Sequence, residues 1–325
     1  MDNKIIDKND FDGNLVYGVR AFNKITGRDQ HLDYQKRYIQ DYAPDDSINR
    51  DCPVCQADSF SIVFKKSGFN HVKCLQCEMI YVKNVIDEER TESHYLTEES
   101  WNSVLQNETQ IQLDILRFNF GLNTIEQYGD IGKILDIGCA FGLFLSEALK
   151  RKWQIFGLEM NDDCVKSLRS KNIDVFAGPI DGVEINDDYF DCITLWDVLE
   201  HLHNPKSVLN RIFNILKDTG ILLIQVPNIN ALVNRIMHSD AGSFGGHSHV
   251  NFFSPQTLRK LLTDNGFSIL HCETLMTEVN TINNYLNYED PYLGESKPLF
   301  DFLTSGYIHD NLLGSRILMI ARKNI

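Results

Sequence analysis

The chain has 325 residues, of which 23% are charged, and its formal net charge at pH 7 is −14. This acidic balance disfavours a nucleic-acid partner or an anionic-membrane surface, because phosphate binding needs clustered Lys and Arg. The sequence has no apolar run of about 18 residues, so we expect no transmembrane helix. Residues 1–12 are polar and lack the apolar core of a signal peptide, so we expect a cytoplasmic protein. The length has room for one large domain and a small one, and it leaves the oligomeric state open.

Two segments of the N-terminal half lie on either side of a cysteine-containing region. Residues 1–50 show no clear periodicity, and we interpret them as an arm that packs on the rest or is partly disordered, with a short helix over 32–42. Residues 85–130 are predicted to form a helical linker, because apolar residues recur at helical spacing from 105 to 128. Tyr95, in the acidic first part of this linker, is either an exposed loop residue or a contact for substrate or cofactor.

Four of the eight cysteines form two C-x-x-C pairs between residues 51 and 84. Two such knuckles complete a tetrahedron of thiolates around Zn²⁺, so the spacing predicts a zinc ribbon, with free thiols as the alternative. The predicted ligands are Cys52, Cys55, Cys74 and Cys77. A closed four-cysteine site leaves no open position for catalysis, so we expect the metal to stabilise a ribbon too small to fold on its own core. His71 lies close by but is surplus to this set.

From residue 131 onwards, apolar runs alternate with amphipathic segments, which is typical of a parallel sheet covered by helices on both faces. The predicted strands are 133–137, 154–159, 173–176, 190–195, 220–226, 267–273 and 315–322. The predicted helices are 143–151, 162–171, 205–217 and 255–265. We expect a domain over 131–325 whose last strand is antiparallel. Its long insert at 276–312 is either a lid or a packing surface.

A glycine loop follows the first of these strands, with Gly138 and Gly142 before an amphipathic helix. Glycine allows a sharp turn and a close approach of a ligand to the backbone. Glu159 ends the next strand, about 20 residues beyond the loop, where an acidic residue binds ribose hydroxyls. The loop lacks the middle glycine of the dinucleotide fingerprint, which argues against an NAD-dependent oxidoreductase.

Residues 134–142, Ile-Leu-Asp-Ile-Gly-Cys-Ala-Phe-Gly, resemble the first motif of class I S-adenosylmethionine-dependent methyltransferases, with Ala140 in place of a frequent glycine. The resemblance implies a Rossmann-like seven-stranded sheet, mostly parallel with an antiparallel last strand, and S-adenosyl-L-methionine as cofactor. The cofactor-binding residues that it implies are Asp136, Gly138, Cys139, Ala140, Phe141, Gly142, Glu159, Met160, Pro179, Ile180 and Trp196. In many members of this family, an acidic residue at this place binds the adenine amino group. This chain has Pro179 and Ile180 there, so Asp181 or a backbone carbonyl would have to bind the adenine amino group.

Two further stretches resemble small-molecule methyltransferases. Asp197-Val-Leu-Glu200-His201-Leu follows the fourth strand, where the cofactor meets the acceptor pocket, and Gly-Gly-His-Ser-His249 precedes the 255–265 helix. Histidine titrates near neutrality and suits proton removal from an acceptor. The catalytic candidates are therefore His249, His201 and Asp197, although each histidine could equally support the pocket. His247 is not expected to bind metal, because the H-x-H pair has no acidic residue near it in the sequence.

The zinc ribbon, the sheet and the His-aromatic-Ser-Pro stretch together resemble deoxysugar C-methyltransferases. Those enzymes carry a glutamate just before the histidine, where this chain has Ser248. We therefore expect methyl transfer to a small molecule, as O-methylation of a sugar or a related biosynthetic intermediate. The alternatives are C-methylation of a nucleotide-linked deoxysugar, and a non-catalytic zinc-ribbon binding module.

Overall fold

The computed structural model describes residues 47–87 and 108–324. The predicted arm and its helix at 32–42, together with Tyr95, lie almost entirely outside these ranges and stay predictions. Within the described ranges, no helix is both long and apolar enough to cross a membrane.

A seven-stranded sheet forms the centre of the protein, in the order β12-β13-β10-β9-β6-β7-β8. Strands β6 to β10 run parallel to one another, and β13 is antiparallel to both β10 and β12. The strands are β6 (Lys133–Ile137), β7 (Gln154–Glu159), β8 (Asp174–Ala177), β9 (Phe190–Trp196), β10 (Leu216–Pro227), β12 (Phe267–Leu275) and β13 (Arg316–Lys323). The predicted Rossmann-like methyltransferase sheet with an antiparallel last strand is confirmed.

Helices cover both faces of this sheet, as the βα alternation predicts. They are α1 (Glu108–Ile125), α2 (Leu143–Lys150), α3 (Asp162–Ser170), α4 (Pro205–Ile215), α5 (Leu232–Met237), α6 (Pro255–Asp264), α7 (Val279–Leu286) and α8 (Ser305–Asp310). Helix α6 is capped at its N-terminus by Ser254, whose side chain accepts from the Thr257 backbone N–H at 3.1 Å. Helix α4 ends two residues earlier than predicted, because buried Leu216 already pairs with Phe190 at the start of β9.

The cysteine-rich segment folds into a small antiparallel sheet that borrows a strand from the rest of the chain. Its own strands are β2 (Phe60–Lys66), β3 (Phe69–Cys74) and β4 (Ile80–Val82), and the fourth strand is β11 (Asn251–Phe252). Strand β11 pairs with β4 through Asn251 opposite Tyr81 and Phe252 opposite Ile80. A separate two-stranded ladder joins β1 (Ile48–Asn49) to β5 (Asn84–Val85).

The hydrophobic core continues across the junction between the ribbon and the large sheet. One apolar cluster contains ribbon residues such as Val72 and Met79 together with Leu258 and Leu262 of α6. Another joins Phe69 and Val82 of the ribbon to helix α5, to the 241–252 loop and to Ile282 of the insert. The ribbon therefore packs as an integral layer of the molecule and also supports the loop before α6.

Candidate active site at the carboxyl edge of the sheet

The glycine loop leaves β6 in a left-handed conformation at three positions. The φ angles of Gly138, Ala140 and Gly142 are 73°, 46° and 77°. Gly142 is also the residue before α2, and a Cβ at Gly138 would lie 2.9 Å from a methyl group of Val198. The backbone of this loop therefore passes close to the loop after β9, and Ala140 adopts a conformation that a glycine would adopt at lower cost.

Glu159, at the end of β7, binds the neighbouring loops through its carboxylate. Oε2 accepts from the Ala140 backbone N–H at 2.7 Å, and Oε1 accepts from the Met160 and Asn161 N–H groups at 2.8 and 2.9 Å. A carboxylate has about four acceptor positions, and three are already used. Two ribose hydroxyls could bind Glu159 only if at least one backbone N–H gives way.

Asp136 lies almost fully buried in β6, two residues before Gly138 of the glycine loop. The Thr194 hydroxyl donates to its Oδ1 at 2.7 Å. Burial raises the pKa of Asp136 to about 8, against the lowering effect of that hydrogen bond. A positively charged ligand group beside this carboxyl would favour its ionised form.

The loop after β8 offers backbone and apolar contacts, and its acidic side chain at Asp181 is turned towards α4. Gly178 has a φ of 123° and no described atom within 4 Å of where a Cβ would lie, so a ligand has room there. Pro179 precedes a single 3₁₀ turn in which Ile180 is buried. The Asp181 carboxylate accepts from the Ser207 hydroxyl at 2.9 Å. Asp181 is therefore already bound to α4, which weighs against its use for the cofactor.

Trp196 and Asp197 end strand β9 but face different surroundings. The buried Trp196 ring packs between Phe118 and Phe144, with ring centroids 4.9 and 5.4 Å away. Only a small residue fits opposite it, because a Cβ at Gly121 would lie 2.4 Å from the indole. The Trp196 side chain is thus placed in the core, so a contact to cofactor would have to come from its edge or backbone.

The Asp197 carboxylate is held by three side chains. Arg117 of α1 binds Oδ2, while Arg316 of β13 and Gln225 of β10 reach Oδ1 at 3.4 and 3.0 Å. Burial alone would raise the pKa of Asp197, but the two guanidinium groups outweigh it and hold the pKa at about 2. Asp197 is therefore an ionised anchor at neutral pH and a poor proton acceptor. Neither arginine was among the site residues predicted from the sequence.

Glu200, His201 and His249 come together beside this anchor. Their potential ligand atoms all lie within 4.8 Å of one another. The imidazole rings of His201 and His249 meet edge to face at 4.8 Å between centroids, and His201 Nδ1 donates to the Ser248 carbonyl at 2.9 Å. Burial, and then the charges of His201 and Arg316, lowers the pKa of His249 to about 3, so its imidazole is neutral at pH 7. An acidic residue, Glu200, therefore does lie near the H-x-H pair in space, beside its second histidine, His249.

The four cysteine sulfurs of the ribbon also converge, all within 4.8 Å of one another. Cys52 and Cys77 are 3.4 Å apart and Cys55 and Cys74 are 3.5 Å apart, measured between Sγ atoms. Sulfurs around a tetrahedral Zn²⁺ would be separated by about 3.8 Å. His71 points away from them, since its ring stacks on Phe64 at 4.4 Å and contacts Phe252.

Comparisons with known proteins agree with this fold. Residues 113–272 match the family described as Methyltransferase domain. A ubiquinone biosynthesis O-methyltransferase from Shewanella halifaxensis is 30% identical over 159 residues, which make up 42% of this chain and 65% of that protein. The protein of the same name from Shewanella pealeana is 31% identical over 160 residues, again 65% of its length. The chain thus matches slightly less than two thirds of these relatives.

A solved structure supplies the comparison for the fold. A SAM-dependent methyltransferase from Archaeoglobus fulgidus superposes with a TM-score of 0.51 and 20% identity, covering 70% of this chain and 100% of that one. The sheet order, the glycine loop and the acidic end of β7 are those expected of an S-adenosylmethionine-dependent methyltransferase. Residues 113–272, just under half of the chain, match the methyltransferase domain family, and this match follows a four-cysteine ribbon in the sequence.

Proposed function

We propose that this protein transfers the methyl group of S-adenosyl-L-methionine to a hydroxyl oxygen of a small polar acceptor. One observation carries the proposal. The Glu159-bound glycine loop and the Asp197–Glu200–His201–His249 group lie at the carboxyl ends of the adjacent strands β6, β7 and β9. A cofactor held by the first would have its reactive end beside the second, as ligands of such sheets bind at this edge.

The residues of the first loops fit the cofactor by their donor and acceptor chemistry. The methionine half of the cofactor would be held by the backbone of Gly138 to Gly142 and by the Asp136 carboxyl. Glu159 would bind the ribose, and Met160 would flank the adenine. Pro179 and Ile180, next to the open space at Gly178, would border the adenine from the other side. Bound S-adenosylmethionine supplies a methyl group on a positively charged sulfur, which an acceptor oxygen can attack.

The protein's own contribution is to orient the acceptor and to receive or release its proton. We propose His249 and His201 as the side chains that contact the acceptor hydroxyl, because imidazole nitrogens at this edge can donate or accept a hydrogen bond. Asp197 would act through Arg117 and Arg316, which it holds in place beside the pocket.

The charge at this edge favours a polar acceptor such as a sugar. Arg117, Arg316, Asp197 and Gln225 supply several hydrogen-bonding groups to any molecule that enters. A phenolic acceptor is the second candidate, favoured by the names of the Shewanella relatives. C-methylation remains a third outcome of the same test, distinguished by where the label of a methyl-labelled cofactor appears in the product.

We further propose that Cys52, Cys55, Cys74 and Cys77 hold a structural Zn²⁺. Four sulfurs at these distances fit the thiolate set that zinc prefers, and no fifth group competes among the described residues around them. The metal would supply stability to the ribbon and, through the shared strand β11, to the loop that carries His249.

The first experiment is a calorimetric titration of the purified protein with S-adenosylhomocysteine and, separately, with NAD. We expect binding of the former alone. Turnover is then tested with labelled S-adenosylmethionine against panels of sugar and phenol acceptors. Absence of S-adenosylhomocysteine binding would contradict the proposal and favour a non-catalytic ribbon-bearing module.

A further inference from the structure

The Glu200 carboxyl is the least compensated ionisable group near the proposed acceptor site. Its side chain is 1% exposed, and neither carboxylate oxygen has a hydrogen-bond partner among the described residues. Burial of an ionised carboxylate without a partner costs several kcal/mol, so such a group needs a proton or a cation. Two cationic side chains face this region, Arg117 and Arg316, but both contact other carboxylates.

The ion pairs nearby are already matched. Arg117 binds Asp114 at 2.9 Å and also Asp197, while Arg316 binds Asp197. Two guanidinium groups are thus neutralised by two carboxylates, so neither has a charge left to balance an ionised Glu200. A bound cation would restore the balance at this point.

Two imidazoles face the same carboxylate. His201 Nδ1 faces a carbonyl oxygen, which can only accept, so Nδ1 carries the hydrogen and the neutral ring has its lone pair on Nε2. This Nε2 lies 4.0 Å from Glu200 Oε1. Metal-bound histidines commonly have their second nitrogen fixed by a carbonyl in this way.

The backbone fixes His249 relative to Glu200. The N–H groups of Val250 and Asn251 donate to the Glu200 carbonyl at 2.8 and 3.0 Å. The Asn251 carboxamide donates to the Leu199 and Leu202 carbonyls at 2.8 and 2.7 Å. The two loops are therefore held together independently of any ligand, so the three side chains converge on a preformed site.

We propose that Glu200, His201 and His249 bind a divalent transition-metal cation. One carboxylate and two imidazoles on one side of an ion, with open positions opposite, suit Mn²⁺, Fe²⁺, Co²⁺ or Zn²⁺. Ligand atoms on adjacent positions of such an ion lie about 3 Å apart, so binding would draw the present 4.8 Å cluster together by roughly 1–2 Å. Side-chain rotation alone can provide this movement.

The role of this cation rests on the proposed function. A hydroxyl bound to it becomes more acidic and releases its proton to water, and its oxygen then takes the methyl group from the sulfonium. The C–S bond breaks as the C–O bond forms, which leaves S-adenosylhomocysteine, the methyl ether and one proton. With the cation bound, His201 and His249 would act on the acceptor hydroxyl through the ion that they hold, and not by direct contact.

The test is titration of the zinc-loaded protein with Mn²⁺, followed by electron paramagnetic resonance of the free ion. Mn²⁺ prefers oxygen and nitrogen ligands and competes poorly for thiolates, so the ribbon does not contribute. We expect one Mn²⁺ per chain, and affinity reduced by about 10- to 100-fold in Glu200→Gln and in His249→Ala. His203→Ala, in the same loop and outside the cluster, should bind normally. Circular dichroism and zinc content confirm that each variant is folded.

Absence of Mn²⁺, Co²⁺ or Zn²⁺ binding beyond the four-cysteine site would overturn the proposal, as would unchanged affinity in Glu200→Gln. S-adenosylhomocysteine titration separates this result from the proposed function. If S-adenosylhomocysteine binding and turnover persist without the second metal, the proposed role of the cation is wrong and the proposed methyltransferase function stands. Metal binding without S-adenosylhomocysteine binding would support the metal site and contradict the proposed methyltransferase function.

Discussion

Arg50 and Asn251 lie 201 residues apart in the chain, and the Arg50 guanidinium donates to the Asn251 carboxamide oxygen at 2.9 Å. The same guanidinium also donates to the main-chain oxygens of Val82, His203 and Val250. One of these partners belongs to the ribbon, and the others flank Glu200 and His249. Burial lowers the pKa of Arg50 to about 10, so the group stays charged at neutral pH. Arg50 therefore connects the ribbon directly to the proposed acceptor loop.

Replacing Arg50 by Met should destabilise the protein by about 3 kcal/mol, because several carbonyl oxygens lose a charged donor without access to water. Urea unfolding followed by circular dichroism measures this loss. Lys166→Ala is the matched control, since Lys166 forms an exposed ion pair with Asp163 at 3.4 Å. Such pairs contribute about 0–1 kcal/mol, so the control should unfold like the wild type. Equal midpoints for both variants would contradict the assigned role of Arg50.

Glu159→Gln should weaken S-adenosylhomocysteine binding by about 10- to 100-fold, equivalent to roughly 1.4–2.8 kcal/mol. The amide places an N–H₂ group against one of the backbone N–H donors that now bind the carboxylate, and the loops must separate there. Calorimetric titration measures the affinity. Glu184→Gln, on an exposed loop away from the glycine turn, should bind normally. The ribose assignment would be abandoned if the Glu159 variant kept wild-type affinity.

Removal of the ribbon metal should reduce methyl transfer more than cofactor binding. Cys52→Ser is expected to lose zinc, and the disturbance reaches His249 through the pairing of β4 with β11. Elemental analysis, turnover with the identified acceptor and S-adenosylhomocysteine titration measure the three effects. Cys272→Ser is the control, because Cys272 lies in β12 outside the sulfur cluster. Full zinc retention in Cys52→Ser would contradict the ribbon assignment.

His71 should make the stability of the protein depend on pH between about 6.5 and 4. Burial lowers the pKa of this histidine to about 4, below its ordinary value of 6.5. The unfolded chain therefore binds the additional proton first as the pH falls. The stability from the neutral buried ring is complete above pH 6.5 and decreases towards pH 4, by on the order of 3 kcal/mol.

His71→Phe keeps an aromatic ring in the cluster with Phe64 and Phe252 and removes the titration. The difference in unfolding free energy between variant and wild type, measured by urea at pH 7 and pH 5, should grow in favour of the variant at pH 5. Contributions common to both proteins, including any from the thiolates, cancel in this difference. A difference that does not change with pH would show that His71 is not buried as a neutral group.

Local sequence patterns were sufficient for the main sheet and the cofactor edge. Strands such as Gln154–Glu159 are short apolar runs between turn residues. Gly138 and Gly142 indicate the turn of the glycine loop, and both have a positive φ. These features depend on residues within a few positions of one another, so periodicity and turn chemistry reveal them. The exact start of β10 was missed, because Leu216 already pairs with β9, whereas the predicted strand starts at residue 220.

The acceptor side depends on contacts between distant parts of the chain. Asp197 is bound by arginines from α1 and β13. Glu200 meets His249 because the N–H groups of Val250 and Asn251 bind the Glu200 carbonyl, at the start of the strand β11 that pairs with the ribbon. Strand β11 has two residues, which is too short for a recognisable alternation of apolar and polar side chains. Sequence reasoning therefore named His201 and His249 individually, from two separate stretches, and did not bring His249 together with Glu200.

The strand shared between the ribbon and the large domain has a consequence for dividing the protein. A fragment ending at residue 87 would present the unpaired edge of Ile80–Val82, and a fragment starting at residue 108 would expose the apolar side chains of Val250 and Phe252. Open strand edges and exposed apolar patches promote self-association. Each half would therefore be aggregation-prone when produced alone, and the two should regain solubility when they are produced together.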